Sequence, residues 1–460
     1  MKGVERHFHL GVAWARRGHP DRALAEYQTA LRLDPAFVPA LRAAAEALLD
    51  LGRASEALGH FARARALAPQ DAPLEFRHRL LARQLEDALS PERIRATYRE
   101  SGGGLPDQPG GKICLANQKR FSSHRSGWGF ALDALAPLHH SEGTPFDGFI
   151  ENNFAWLHRA PGVRPAEVLE RMRREGTYAL LATSEEKGIT PYTRPWVGVI
   201  HNPPGMPAWY MPQDSPQAIF AKDVWKRSAK HCKGLFTLSA YAARWVRDAT
   251  GLPVSALVSP TETPAVRFDF DRFAANRSKK IVQIGWWLRS LSAIYHLPVP
   301  RGNPAGYEKI RLVPHPFERA DEYFRQLVEA EARHEGRAPE ARFAENTREV
   351  QHVSDGKYDD LLAENIAFVR LYDASANNTV TECIARGTPL LINPLPAVTE
   401  YLGPSYPFYY DSLADAAEKA MDLDLIRRTH LYLLGCEVRP KLTAEFFRES
   451  FRQSEVYRGL

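Results

Sequence analysis

The stretch ANNTVTECIARGTPLLINPLPAVTEYLG, from Ala376 to Gly403, holds an acidic side chain where chemistry is possible. Glu382 sits early in a short helical pattern, just after two asparagines, and the helix feeds a strongly apolar strand. Two uses are open to it. In Thr379-x-x-Glu382 it completes a capping box, a purely local device for starting a helix. Alternatively it reaches a ligand held above the end of a sheet. The start of a helix carries unpaired N–H donors and a partial positive charge, which suits a phosphate, and a carboxylate one turn on can accept two vicinal hydroxyls. His201 ends an apolar run in GVIHNPP, where it can bind a sugar, assist a proton transfer, or simply close a strand end with a hydrogen bond. SGWG, which contains Gly127, Trp128 and Gly129, offers glycines that admit close backbone approach and an aromatic face that suits a sugar ring. An ordinary turn with a packed tryptophan explains it equally well.

Positioning such groups takes a large scaffold. The chain has 460 residues, 44% of them hydrophobic and 25% charged, the balance of a globular protein of about three domains. A net charge of +5 without a dense Lys/Arg stripe does not indicate nucleic acid. No apolar run is long enough to span a bilayer, and charges come too early at the start for a secretory signal. Cys114, Cys232, Cys383 and Cys436 lie far apart without a CxxC pair, which argues against a zinc site or a disulfide framework and fits a reducing cytoplasm.

The front of the chain repeats itself. Leu10, Gly11, Trp14, Gly18, Ala23, Tyr27, Ala30 and Pro35 form one set, and Gly52, Ala57, Phe61, Ala64 and Pro69 follow at an offset of 34 residues. This pattern resembles the tetratricopeptide repeat. Ala23 and Ala57 are expected to let paired helices approach, and Tyr27 and Phe61 to fill the groove between them. Leu74 to Leu89 is helical in pattern but lacks the glycine, so it reads as a cap. Such repeats imply a protein or peptide partner, or a docking or dimerisation element. ESGGGLPDQPGG, Glu100 to Gly111, then reads as a linker.

Beyond the linker, short apolar runs alternate with helical patterns: KICLAN, WVGVIHN, GLFTLS and VSALVSP, then, after the polar RFDFDRFAANRS, KKIVQIGWWLR, KIRLVP, NIAFVRLYDAS and PLLINP. That is the rhythm of two parallel sheets covered by helices, whose ligands bind beyond the carboxyl ends of the strands. No G-x-G-x-x-G follows the strand at Lys112, which weakens a dehydrogenase reading. The expected organisation is a helical repeat region at 1–98, a linker at 99–111, an α/β domain at 112–275, a second at 276–430, and crossing helices at 431–460. FDGFIENNFAW, Phe146 to Trp156, has a composition suited to carbohydrate or to a surface hairpin.

TECIARGTPLLIN, followed by AVTEYLG and YPFYYDSLADAAEKA, resembles the C-terminal half of GT-B-fold glycosyltransferases of the group 1 or family 4 kind. GLFTLSAYAARWVRDATGLPVSALVSPTET resembles the end of their N-terminal half. The resemblance implies a GT-B architecture of two Rossmann-like domains and transfer from a nucleotide-sugar donor, with an N-terminal acceptor domain. The nucleotide-sugar is then a co-substrate; no other cofactor and no metal are expected. The resemblance leans to retention at the anomeric carbon. It implies that Glu382 binds the ribose and that Asn377, Asn378 and Thr379 present backbone N–H groups to the diphosphate. Arg289 in IGWWLRS would neutralise the leaving group, with Lys357 as a weaker second cation. Gly127, Trp128 and Gly129 would lie near the donor, and Glu400 would contact it or cap a helix. One departure is plain: the acid that usually faces the transferred sugar falls at Ala374, with Asp373 one place off. Two other readings stay open, a non-catalytic adaptor on a degenerate transferase fold and a GT-B nucleotide-sugar epimerase.

Overall fold

The computed structural model describes residues 2–51, 53–71, 74–75, 78, 105–115, 127–154, 192–210, 214–313, 320–336, 341–350 and 353–460. Contacts divide the chain into two compact units that interleave in sequence. One is Met1–Lys119, His139–Gly198 and Ala218–Lys233; the other is Arg120–Leu138, Val199–Gln217 and Gly234–Leu460.

The first unit opens with four helices, α1 Lys2–Arg16, α2 Pro20–Leu33, α3 Val38–Asp50 and α4 Ala54–Leu67. The repeat pattern explains their packing. Ala23, Ala30, Ala57 and Ala64 are fully buried, and Tyr27 and Phe61 fill the space their small neighbours leave. Gly11 is small for a reason: a Cβ there would lie 2.4 Å from the Tyr27 ring. Of the expected cap at Leu74 to Leu89, all but Leu74, Glu75 and His78 lies outside the described residues, as do residues 99–104 of the linker.

Strands β1 Ile113–Cys114, β2 Thr144–Asp147 and β3 Trp196–Val199 are followed by β4 Cys232–Thr237 and β5 Val254–Ala256, in sheet order β1-β2-β3-β4-β5. The registered pairs β1–β2, β2–β3 and β4–β5 are parallel. Between the first two strands lies α5, Trp128–Leu135, and between the last two α6, Ala240–Thr250. In place of the surface-hairpin alternative for FDGFIENNFAW stand the end of β2 and a short helix at Ile150–Phe154, with Ala155 and Trp156 outside the described residues.

The second unit contains a complete parallel sheet of order β10-β9-β6-β7-β8. Its strands are β6 Lys280–Gln283, β7 Glu308–Leu312, β8 Thr347–Val350, β9 Ile366–Val369 and β10 Leu390–Ile392. Helices α7 Ala320–Glu335, α8 Asp355–Ala363, α9 Asn378–Arg386 and α10 Pro396–Leu402 alternate with them. Every residue of β9 and β10 is fully buried. Continuous apolar runs of this kind belong to strands covered on both faces. At the C-terminus α11, Ala444–Gln453, packs on the other strands of this unit: Phe451 stacks on Phe236 of β4 with ring centroids 4.3 Å apart. The architecture is thus a helical repeat region together with two parallel α/β sheets.

Candidate functional site

The site is built on the loop between β9 and α9. Helix α9 starts at Asn378 because Asn377 caps it: the Asn377 Oδ1 accepts the Thr379 N–H at 3.0 Å. This corrects the capping-box reading of Thr379 and Glu382. Two asparagines precede the threonine, and asparagine is among the best N-caps, so the helix begins earlier and Glu382 falls in its second turn.

Arg289 reaches this same helix start. Its Nη2 donates to Asn377 Oδ1 at 3.0 Å and to Thr379 Oγ1 at 3.1 Å, and its Nη1 donates to the Trp287 carbonyl at 3.0 Å. The side chain is only 8% exposed, and burial lowers its pKa to about 10. Among the described residues no carboxylate forms an ion pair with it; Glu382 is the one carboxylate that acts on its charge, from further off. Its Nε is buried without a hydrogen-bond partner among the described residues. A cation held in this way beside a helix N-terminus concentrates positive potential in one place.

The arginine loop is held against strain. Leu288 has φ +53, unusual for a leucine. Both its backbone groups are tied: its N–H donates to the Tyr210 hydroxyl at 2.9 Å, and its carbonyl accepts the Tyr372 N–H at 2.9 Å. Glu331, 2% exposed, fixes the residues that follow. It accepts the Leu291 and Ser292 N–H groups at 3.1 Å each, the Tyr372 hydroxyl at 2.7 Å, and the Ser290 hydroxyl. Gly285 leaves room for the guanidinium: at φ +75, a Cβ there would lie 2.7 Å from Arg289 Cζ. Tyr210, Glu331 and Gly285 were not picked out from sequence. The glycine two residues after β6 is the one signal that pointed to a close approach.

Gly127 joins the site from far away in sequence. It has φ +90, and a Cβ on it would lie 2.6 Å from the Asn378 Nδ2. Trp128 and Gly129 open helix α5 directly after it. The Trp128 ring meets His201 edge to face, with centroids 4.6 Å apart, and also meets Phe447 at 6.4 Å. Its indole Nε1 is buried with no partner among the described residues. Ser126 lies outside the described residues.

Glu382 lies against Tyr358. It is 3% exposed, and its Oε2 accepts the Tyr358 hydroxyl at 2.6 Å. The same oxygen lies 3.8 Å from Arg386 Nη1, while Arg386 Nη2 donates to Asp359 at 2.8 Å. That oxygen is therefore engaged within the protein rather than open. Tyr358 was missed in the sequence, where only its neighbour Lys357 drew notice; Lys357 is exposed on α8.

Glu400 is spent elsewhere. Its two carboxylate oxygens accept the Ala240 and Tyr241 N–H groups at 2.7 and 2.6 Å, at the start of α6, in keeping with the helix-capping alternative. Asp373 likewise serves a contact within the fold. It accepts the Gly205 N–H at 2.7 Å, its neighbour Ala374 N–H at 2.8 Å and the Tyr241 hydroxyl at 3.2 Å, and burial raises its pKa. Ala374 is buried. Among the described residues no group of three or more His, Cys, Asp or Glu side chains is placed to hold a metal, and no helix is long and apolar enough to cross a membrane.

Comparison with known proteins adds the following. A tetratricopeptide repeat model matches residues 4–37. No curated protein sequence matches the chain. Among solved structures, similarity extends to a trehalose-6-phosphate synthase at 13% identity over 70% of this chain and 74% of that one, TM-score 0.43. An O-GlcNAc transferase of Thermobaculum terrenum is similar at 11% identity over 99% of this chain and 90% of that one, TM-score 0.38. A UDP-forming alpha,alpha-trehalose-phosphate synthase of Burkholderia vietnamiensis is similar at 14% identity over 60% and 71%, TM-score 0.41.

Proposed function

We propose that this protein is a glycosyltransferase that moves a sugar from a nucleotide-sugar to an acceptor. The observation that carries the reading is the buried Arg289 guanidinium on the N-cap of α9, with no ion-paired carboxylate among the described residues. A donor diphosphate supplies the missing negative charge. As the sugar–phosphate bond breaks, further charge develops on the nucleotide, and a fixed cation and helix start stabilise it without reorganising. The glycine at Gly127 lets the backbone lie against Asn378, which shapes the same end of the helix. Trp128 and His201 offer an aromatic face and an imidazole to the sugar side of this donor. Glu382 is assigned to the ribose, the helical repeats to a protein or peptide partner, and charge neutralisation to protein groups rather than a metal.

The test is a panel of UDP-, GDP-, ADP- and dTDP-sugars, read by thermal shift and by release of nucleoside diphosphate in the presence of candidate glycan, peptide and small-molecule acceptors. One donor is expected to stabilise the protein and to turn over with an acceptor. Stabilisation by none of them removes both the transferase and the epimerase readings and leaves the adaptor. Turnover of a donor alone, to an isomeric nucleotide-sugar, selects the epimerase.

A further inference from the structure

We infer that Tyr210 is a positioning residue for the donor diphosphate: its hydroxyl locks the turn that aims Arg289 at the start of α9, and thereby sets the fraction of the protein that stands ready to bind the anion. The inference rests on the donor reading above.

Leu288 is the joint of this turn, held at φ +53. That dihedral sets the peptide plane before Leu288 against the plane after it. The guanidinium depends on both sides. Arg289 Nη1 donates back across the joint to the Trp287 carbonyl at 3.0 Å, while Nη2 donates to Asn377 Oδ1 and Thr379 Oγ1 at 3.0 and 3.1 Å. A leucine returned to negative φ would swing the Trp287 carbonyl away, and the arginine could not keep both sets of bonds. The plane after the joint is tied to the chain beyond β9, since the Leu288 carbonyl accepts the Tyr372 N–H at 2.9 Å. The plane before it is held by Tyr210, whose hydroxyl accepts the Leu288 N–H at 2.9 Å and donates to the Trp286 carbonyl at 3.3 Å. Glu331 acts further on, at Ser290, Leu291 and Ser292, and does not hold this plane.

Tyr210 is itself a fixed point. It is buried, and its ring packs on Trp209, Trp287 and Tyr372 with centroids 5.7, 5.6 and 6.1 Å away. The segment that carries it is fastened by the Gly205 N–H on Asp373 at 2.7 Å and by Asn202 Nδ2 on the Asp214 carbonyl at 2.8 Å. Burial pushes the Tyr210 pKa above its ordinary value, so the hydroxyl keeps the proton it donates to Trp286. The same short segment begins at His201, which joins the imidazole and the arginine of the site through one stretch of chain.

The consequence is measurable. A left-handed conformation is disfavoured for leucine by about 5- to 30-fold. Without the hydroxyl the turn relaxes, and apparent affinity falls with the fraction that keeps it. The experiment titrates pyrophosphate into wild type, Tyr210→Phe, and Tyr210→Phe combined with Leu288→Gly or with Leu288→Ala, with a thermal melt of each. Phenylalanine keeps the ring and its packing. Tyr210→Phe should bind pyrophosphate about 5- to 30-fold more weakly, and in stopped flow the loss should lie in the association rate, with dissociation unchanged. Glycine adopts positive φ without penalty, so Leu288→Gly should restore most of the lost affinity. Leu288→Ala removes the same packing but keeps the penalty, and should restore none. Wild-type affinity in Tyr210→Phe, a loss confined to the dissociation rate, or a loss that glycine repairs no better than alanine overturns the positioning role and leaves the donor reading intact. Absence of pyrophosphate binding in wild type overturns the donor reading and this inference with it.

Discussion

Arg289→Met separates what the arginine does for stability from what it does for a ligand. Burial lowers the guanidinium from 12.5 to about 10. At about 1.36 kcal/mol per pKa unit, this is about 3 kcal/mol of desolvation left unrelieved in the empty protein. Against it stand three hydrogen bonds, to Trp287, Asn377 and Thr379. Each is worth about 1 kcal/mol net, so the two sums nearly cancel. Asn377 Oδ1 still keeps the Thr379 N–H when the arginine is gone. Methionine has similar reach and no charge to desolvate. The melting temperature of Arg289→Met should therefore stay within about 4 °C of wild type, since 1 kcal/mol moves a unit of this size by about 2–4 °C. Ligand binding should respond far more. Loss of a fixed donor aimed at developing charge costs about 2.7–4 kcal/mol, or roughly 100- to 1000-fold, and pyrophosphate affinity should fall by that order. Scanning calorimetry gives the first quantity and isothermal titration with pyrophosphate and nucleoside diphosphates the second. A variant that melts more than 10 °C lower yet binds the anion as wild type does would show that Arg289 is only a brace between β6 and α9, and the proposed site would fall with it.

Other substitutions test the supporting parts. Gly285→Ala places a Cβ 2.7 Å from Arg289 Cζ at φ +75, whereas Gly302→Ala, at φ +73, meets nothing within 4 Å. Both should lose about 1–2 kcal/mol from the left-handed backbone, but only Gly285→Ala should also lose pyrophosphate binding; equal binding in the two would exclude the packing argument. Glu400→Ala removes the carboxylate that accepts the first two N–H groups of α6, while the Ser239 N-cap stays, and should cost about 0.5–2 kcal/mol in denaturant unfolding, with donor affinity unchanged. A loss of donor affinity there would restore Glu400 to the site. Lys309 is fully buried with its Nζ on the Leu297 carbonyl, and burial lowers its pKa to about 7. The unfolded lysine holds its proton to about 10.5. Between these values the unfolded state binds more protons, so stability should rise as pH goes from 7 to 10, by no more than about 5 kcal/mol. Lys309→Met should flatten that rise and stabilise the protein most at pH 7 and below, and an unchanged pH profile would show that Lys309 stays charged in the fold.

The parts of this fold that follow from short-range rules were legible in the sequence. Ala23, Tyr27, Ala57 and Phe61 pack as the repeat required, because helix pairing in a repeat is decided within about 34 residues. The apolar runs of β9 and β10 announced strands covered on both faces. Which residue caps α9 was left open for a local reason. Asn377, Asn378 and Thr379 all make good helix starts, and the competition between them turns on fractions of a kcal/mol.

The partners of the site were less legible, and the reason is distance. Arg289 and Asn377 bond across 88 positions, Tyr241 and Glu400 across 159, and Gly205 and Asp373 across 168. No periodicity couples such pairs; the topology of parallel strands brings them together. Carboxylates show the consequence most sharply. From residue type alone, Glu382, Glu400 and Asp373 were equally able to face a ligand. The fold gives Glu400 to a helix start and Asp373 to Gly205 and Tyr241, and it covers one oxygen of Glu382 with Tyr358.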